Sequence, residues 1–286
     1  MTQFHIETID PLASFPYLAE TPEPPKSFSI RGSLESIKGK KIVAIVGSRK
    51  CSSYGKAVCR MLVEGLRGYP VVIVSGLALG IDSVAHQAAL DVGLTTISFP
   101  GSGLDWNVLY PAQHRGLAEN ILRAGGALIS EYKNNQRGAI WTFPRRNRIV
   151  AGIADIVIIV EAEEKSGALI TARLGIEYNK IVGVVPGPVT SPSSKGTNGF
   201  LKIGAVPIIE SADILREIGL EKETKRDDDT ITNSDEERVL ALLSQPKTRE
   251  HVINELSLSA AQANIIFSTL EIKGMIRETL GMIERL

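Results

Sequence analysis

The chain has 286 residues, 43% hydrophobic and 22% charged, which suits one large domain plus a small one and excludes a chain too polar to bury a core. Its 32 basic and 32 acidic side chains cancel, so any attraction for a polyanion must come from local segregation of charge. Two cysteines, Cys51 and Cys59, are too few for a disulfide framework and lack zinc spacing, and no apolar run is long enough to cross a bilayer. The opening MTQFHIETID has neither the basic start nor the apolar stretch of a signal peptide, so a cytoplasmic protein with reduced thiols and no membrane partner is expected.

Residues 1–40 hold five prolines and one plausible strand, Ser27–Arg31, and read as an arm packed on the main domain. From Lys41 onward, short apolar runs recur at Ile42–Val46, Val71–Val74, Thr95–Phe99, Ala127–Ile129, Ile156–Val160, Ile181–Val185 and Val206–Ile209. Continuous valine- and isoleucine-rich runs fit strands covered on both faces. Amphipathic stretches between them predict helices over 54–67, 81–91, 112–124, 144–152, 168–179 and 211–218. The alternation implies parallel βαβ units, hence an α/β fold with a Rossmann-like, doubly wound, mostly parallel sheet over 41–220.

Residues 221–229 carry no apolar side chain, and 221–233 reads as a linker. Beyond it, 234–286 predicts three helices, Ser234–Leu243, Thr248–Asn254 and Ser259–Lys273, the first with a capping box of Ser234 and Glu237. Gly274 follows as a helix terminator, and Met275–Glu278 with Met282–Arg285 forms a hairpin. Together these describe a small C-terminal winged-helix-like domain.

In an open parallel sheet ligands bind beyond the carboxyl ends of the strands. Three strands here run into loops of glycine and small polar residues: Gly47-Ser48-Arg49, Ser75-Gly76 through Gly80 and Asp82, and Gly101-Ser102-Gly103. Glycine lets a backbone approach a ligand, and free N–H groups at a helix start attract phosphate. A tight turn alone also calls for glycine, so any one loop serves either reading, whereas three in succession favour a shared anion site. No loop ends in GK[ST], and none completes GxGxxG, which argues against triphosphate hydrolysis and a nicotinamide cofactor. No cofactor is expected.

Charge is segregated: residues 41–150 carry thirteen basic and six acidic side chains, a local balance of +7. Within that block, Trp141 to Arg148 holds three arginines and two aromatics with no acid. Arginine forks grip phosphate at two points, and an exposed ring can stack on a base. Arg145, Arg146 and Asn147 read as DNA-facing with Phe143, and Arg148 as paired to a core carboxylate such as Asp155 or Glu161. Ser166 and Gly167 either meet a phosphate or cap the following helix, and Asp82 suits a helix start. The four histidines form no metal pattern, His86 reads as packed or surface, and Glu131 is a lone strand-end carboxylate, so neither a catalytic set nor a metal site is expected.

Taken together, these motifs resemble the DprA (DNA processing A, or Smf) family. The resemblance rests on Ala44-Ile45-Val46-Gly47-Ser48-Arg49, Ser75-Gly76-Leu77-Ala78-Leu79-Gly80-Ile81-Asp82, Gly101-Ser102-Gly103-Leu104-Asp105, Tyr110-Pro111, Phe143-Pro144-Arg145-Arg146-Asn147-Arg148 and Ser166-Gly167-Ala168-Leu169-Ile170-Thr171-Ala172. It implies an extended Rossmann fold and a non-enzymatic protein that binds single-stranded DNA without sequence preference. It further implies a homodimer that hands the DNA to RecA recombinase in natural transformation. Some members place a lysine directly after the Tyr-Pro pair; this chain has Ala112, with Arg115 as the nearest base to replace it. Gly196–Ile209, with Phe200, Leu201, Ile203 and Val206, is the candidate dimer surface, and ordinary core packing explains any one of these side chains equally well. Ser259–Lys273 has no base before Lys273, which suits protein contact better than DNA reading. The competing class, a nucleotide-processing phosphoribohydrolase, would need a PGGxGTxxE-type loop, which Pro100-Gly101-Ser102-Gly103-Leu104-Asp105 does not supply.

Overall fold

β-Branched side chains are stiff about χ1 and pack well on a pleated surface, so the valine and isoleucine runs settle as strands. The computed structural model describes residues 4–220, 234–279 and 281–286. In chain order its strands are β1 (Ile6–Ile9), β2 (Phe28–Gly32), β3 (Lys41–Val46), β4 (Val71–Ser75), β5 (Thr95–Ser98), β6 (Ala127–Ser130), β7 (Ile156–Ile159), β8 (Ile181–Val184) and β9 (Val206–Pro207). Helices α1 (Pro11–Ser14), α2 (Ser53–Glu64), α3 (Ile81–Asp91), α4 (Arg115–Arg123), α5 (Thr142–Ile153), α6 (Ala168–Glu177), α7 (Pro192–Leu201) and α8 (Ser211–Glu217) accompany them.

The nine strands form one sheet in the order β1-β2-β6-β5-β4-β3-β7-β8-β9. From β3 to β9 every neighbouring pair up to β6 is parallel, and only β1 and β2 join antiparallel at one edge. The chain builds outward from β3 to β6, then returns to lay β7 against the other side of β3, Val43 opposite Ile156 and Val46 opposite Ile159. That reversal makes the carboxyl ends of β3 and β7 a topological switch point, where an open sheet leaves a crevice.

Alternation divides the core in two. Val43, Ile45, Ile73 and Ile158 face α2, α3 and α8 with Leu62, Ala85 and Ile214. Ala44, Val46, Val74 and Ile159 face α5 and α6 with Ile149, Ile153 and Ala172. Each such side chain, fully enclosed, contributes about 1.5–3 kcal/mol. The arm joins the second layer through Phe15 and Phe28, which meet Phe99 edge-on at 6.1 and 5.8 Å between centroids.

Several expectations need correction. The arm holds two strands and α1 besides short 3-10 turns, not a single strand. The helix expected over 112–124 opens as a 3-10 turn at Ala112–His114 before α4 begins. The last strand is shorter than expected, Val206–Pro207 instead of Val206–Ile209, and one further bond to β8, from the Ile208 N–H to the Val184 carbonyl at 2.9 Å, ends the pairing.

The chain divides into two compact units, residues 1–221 and 222–286. The segment read as a linker lies outside the described residues, as does the Ser234 side chain of the expected capping box. The second unit contains α9 (Ser234–Leu242), β10 (Lys247–Thr248), α10 (Arg249–Leu256), α11 (Ala260–Ile272), β11 (Ile276–Thr279) and β12 (Met282–Arg285), its strands ordered β10-β12-β11. Thr248 caps α10, its hydroxyl accepting from the His251 N–H at 3.3 Å, and Ser259 forms a capping box with Gln262 on α11. Val239, Val252, Phe267, Leu270 and Ile283 fill its core. No helix among the described residues is long and apolar enough to cross a membrane.

Candidate functional site

A cavity of about 540 Å³ opens at the switch point. Its walls are the loop after β3 (Gly47, Ser48, Arg49, Lys50), the loop after β4 (Gly76, Ala78, Asp82), the first turns of α5 (Phe143, Arg146, Asn147) and the entry to α6 (Lys165, Ser166, Gly167).

The first loop is pinned from behind. The Ser48 N–H donates to the Glu161 carbonyl at 2.7 Å, and the Ser48 hydroxyl accepts from the Lys50 N–H at 3.1 Å. The Glu161 carboxylate receives the Ser52 N–H and hydroxyl at 2.8 and 2.6 Å, fixing the cap of α2. Arg49 is left exposed, and its guanidinium lies 4.9 Å from the Phe143 ring centroid. A cation over an aromatic face is worth about 0.5–2 kcal/mol and holds both groups in place.

The second loop is clamped from both sides. Asp82, in the first turn of α3, accepts the Gly76 N–H at 3.0 Å and the Ala78 N–H at 3.4 Å. Arg146 donates to the Gly76 carbonyl at 2.8 Å and also to the Phe99 carbonyl, while its Nε donates to the Asn147 side chain at 3.1 Å. A Cβ on Gly76 would stand 2.1 Å from the Arg146 guanidinium, so any larger residue there would displace that arginine from its carbonyls. Burial pushes the Asp82 carboxyl above its ordinary range against the pull of Arg146. Burial likewise lowers Arg146, and Asp82 opposes that shift. At Gly80, φ is +82° and an added Cβ would meet the Ser48 carbonyl oxygen at 2.2 Å, so the two loops touch backbone to backbone.

The start of α5 forms the rim. The Thr142 hydroxyl donates to the Gly101 carbonyl at 2.6 Å, and the Tyr132 hydroxyl to the Thr142 carbonyl at 2.8 Å. Phe143 packs on Tyr110 with 5.4 Å between centroids, and Ile140 and Trp141 stand out into solvent.

Of the residues singled out from sequence, Gly47, Ser48, Arg49, Gly76, Phe143, Arg146, Asn147, Ser166 and Gly167 meet around this one cavity. Others do not. Ser75 is buried with its hydroxyl on the Ile45 carbonyl at 2.6 Å, and Gly80 serves loop packing. The third glycine loop is covered: a Cβ on Gly101 would lie 2.4 Å from the Phe143 ring, and the Gly103 N–H is spent on the Gln136 carbonyl at 2.8 Å. Arg115 is turned onto the Asn107 carbonyl at 3.1 Å, outside the lining. Arg145 lies outside it too, its Nε 3.6 Å from Glu131.

Arg146 lines the cavity but is buried, its guanidinium already engaged by the Gly76 and Phe99 carbonyls. Arg148 pairs with Glu131 and the Glu23 carbonyl, not with Asp155 or Glu161. Asp155 is taken by Lys41 at 3.0 Å and the Ile42 N–H at 2.7 Å. Burial raises the Glu131 carboxyl, and Arg148 and Arg145 draw it back.

Lys50 and Lys165, both exposed on the lining, escaped the sequence reading. The signal was adjacency: each flanks a residue already chosen, Arg49 and Ser166. With Arg49 they put three exposed cations around a mouth that also holds an aromatic face, an arrangement that suits a phosphate chain with unstacked bases. Among the described residues no group of His, Cys, Asp and Glu is placed to hold a metal.

A family model described as DNA recombination-mediator protein A matches residues 11–219. Protein Smf of Escherichia coli (strain K12) is 40% identical over 203 residues, 71% of this chain and 54% of that protein. The chain thus spans about half the length of that relative. The X-ray structure of DNA processing protein A from Streptococcus pneumoniae superposes with a TM-score of 0.69 at 35% identity, covering 76% of this chain and 75% of the other. DNA processing protein A from Helicobacter pylori, whose structure is described as giving insight into its single-stranded DNA binding mode, superposes at 0.67 with 31% identity over 75% of this chain and 95% of that one.

Proposed function

Because this chain belongs to the family of DNA recombination-mediator protein A, we propose that it binds single-stranded DNA without sequence preference across the switch-point cavity. The observation that carries this reading is the exposed Arg49 guanidinium stacked over Phe143 beside Lys50 and Lys165. The cations meet the phosphates, and the aromatic face receives a base. Ser166 and Gly167, at the N-terminal end of α6, add the positive end of a helix dipole. Asp82 and Arg146 stiffen the floor beneath.

The protein acts as a carrier and not as an enzyme, in DNA processing during transformation and recombination. It shields incoming single strands and passes them to RecA recombinase. Two copies associate through the segment Gly196–Ile209, which includes the edge strand β9; Phe200 belongs to the core and Leu201 and Val206 pack against it, so of the expected residues only Ile203, 67% exposed, is free to make the contact, with Ile209 beside it at 68%. The second unit reads as a winged-helix-like module that contacts protein.

The test is a salt titration of binding to oligo-dT, comparing wild type with Arg49→Ala, Lys165→Ala and Phe143→Ala. Each lost phosphate contact lowers the slope of log K against log salt by about 0.7 on a single strand. Losing the ring costs about 1–3 kcal/mol of affinity with the slope kept. Arg115→Ala leaves both unchanged. Slopes equal to wild type in both cation variants would refute this site.

A further inference from the structure

Helix α11 of the second unit carries an apolar stripe that nothing in its own unit covers. Ala261, Ile265, Ser268 and Ile272 recur at intervals of four, three and four residues, which at 3.6 residues per turn places them within one narrow face. All four are exposed, Ile265 at 68% and Ile272 at 87%. The opposite face, with Ala263, Ile266, Phe267 and Leu270, is buried in the unit's core. Isoleucine is costly to hold in water, and two on one stripe mark a contact surface. A nucleic acid is a poor occupant, since α11 contains no base and one acid, Glu271.

We propose that this stripe docks on the same stripe of a second copy, the two α11 helices running antiparallel across a two-fold axis. The sequence of the stripe is self-complementary in that arrangement. Antiparallel pairing sets Ile272 of one copy over Ala261 of the other and Ile265 over Ser268, a large side chain facing a small one in every layer, as ridges into grooves require. The flanks agree. On one side Glu271 comes opposite Asn264, whose amide oxygen already accepts from Arg249 at 2.9 Å, leaving its N–H₂ to donate to the carboxylate. On the other side Thr269 meets Gln262. No like charges are opposed.

A single pair of four-turn helices buries less than the roughly 800 Å² per partner of a stable dimer, so the association is weak and concentration-dependent. It is independent of the β9 edge proposed above for dimerisation.

The test is sedimentation velocity of the full chain across a wide concentration range, in an Ile203→Glu background so that the sheet edge does not contribute. Expected is reversible self-association that Ile265→Glu with Ile272→Glu shifts to concentrations at least about tenfold higher. Asn264→Asp, which keeps an acceptor for Arg249 and sets a carboxylate opposite the partner's Glu271, shifts it to higher concentration. Thermal melts of these surface variants check that the unit remains folded. A parent chain that stays monomeric throughout overturns the proposal, as does association unchanged in the double-glutamate variant or unweakened by Asn264→Asp.

Discussion

A guanidinium enclosed by protein must be fully partnered, because water can no longer solvate it. Arg146 meets that demand with the carbonyls of Gly76 and Phe99, the Asn147 amide and the neighbouring Asp82. Removing it leaves Asp82 buried with the Gly76 and Ala78 N–H groups left to hold its charge. Arg146→Ala should therefore cost about 3–5 kcal/mol in urea denaturation. Arg146→Lys should restore only part of it, since an ammonium in the place of Nη1 can serve the Gly76 and Phe99 carbonyls but cannot also donate to the Asn147 side chain as Nε does. Arg49→Ala, on the surface, should stay within about 0.5 kcal/mol of wild type. A loss below about 1 kcal/mol in Arg146→Ala would mean that the floor is not braced as described. Arg49, over the Phe143 ring, and Arg146, three residues beyond that ring in the chain, thus differ in what they stabilise through burial alone.

Between elements, His86 ties α3 to β5. The Thr96 hydroxyl donates to the Ile73 carbonyl at 2.9 Å and so accepts from His86 Nδ1 at 2.7 Å. Burial holds the imidazole neutral, its pKa lowered from 6.5 to about 3, with His114 and Arg146 adding repulsion. Between those values the unfolded chain binds a proton that the folded one refuses. Stability from this group is complete above pH 6.5 and drains as pH falls toward 3, by up to about 1.4 kcal/mol per pH unit. Denaturation of His86→Gln measured from neutral pH downward should show a shallower decline than wild type; parallel curves would contradict a neutral His86. At this scale the sequence was most readable where burial is two-sided: every valine-rich run from β3 to β8 announced a strand, and α3 falls on its expected residues. The arm was less legible, because β1 is half-exposed and IETI carries too few apolar residues to alternate visibly. The three glycine loops look equivalent in sequence. Only the fold shows that Phe143 lies across the third and that the Arg145-Arg146-Asn147-Arg148 run sends its arginines to different fates.

At the scale of the whole molecule, two units share one chain and the basic block lies in the first. Net neutrality concealed that segregation, and only the charge count by region exposed it. The two tryptophans of the chain also both lie in the first unit. Trp106 is partly buried with the Arg31 guanidinium 4.8 Å above its ring, while Trp141 is 57% exposed, edge-on to Tyr132 at 5.9 Å and next in the chain to Ile140, which lines the cavity. The second unit has neither, so ultraviolet emission from the intact chain reads the first unit alone. An indole in open water emits at longer wavelength than one under a stacked base, and Trp141 is the one free to change its surroundings. Titration with oligo-dT should quench or blue-shift the emission in wild type and in Trp106→Phe, and leave Trp141→Phe silent. A signal persisting in Trp141→Phe would move the strand away from this rim. The chain thus carries one exposed indole beside a residue that lines its cavity and a second, partly buried one that serves as its internal standard.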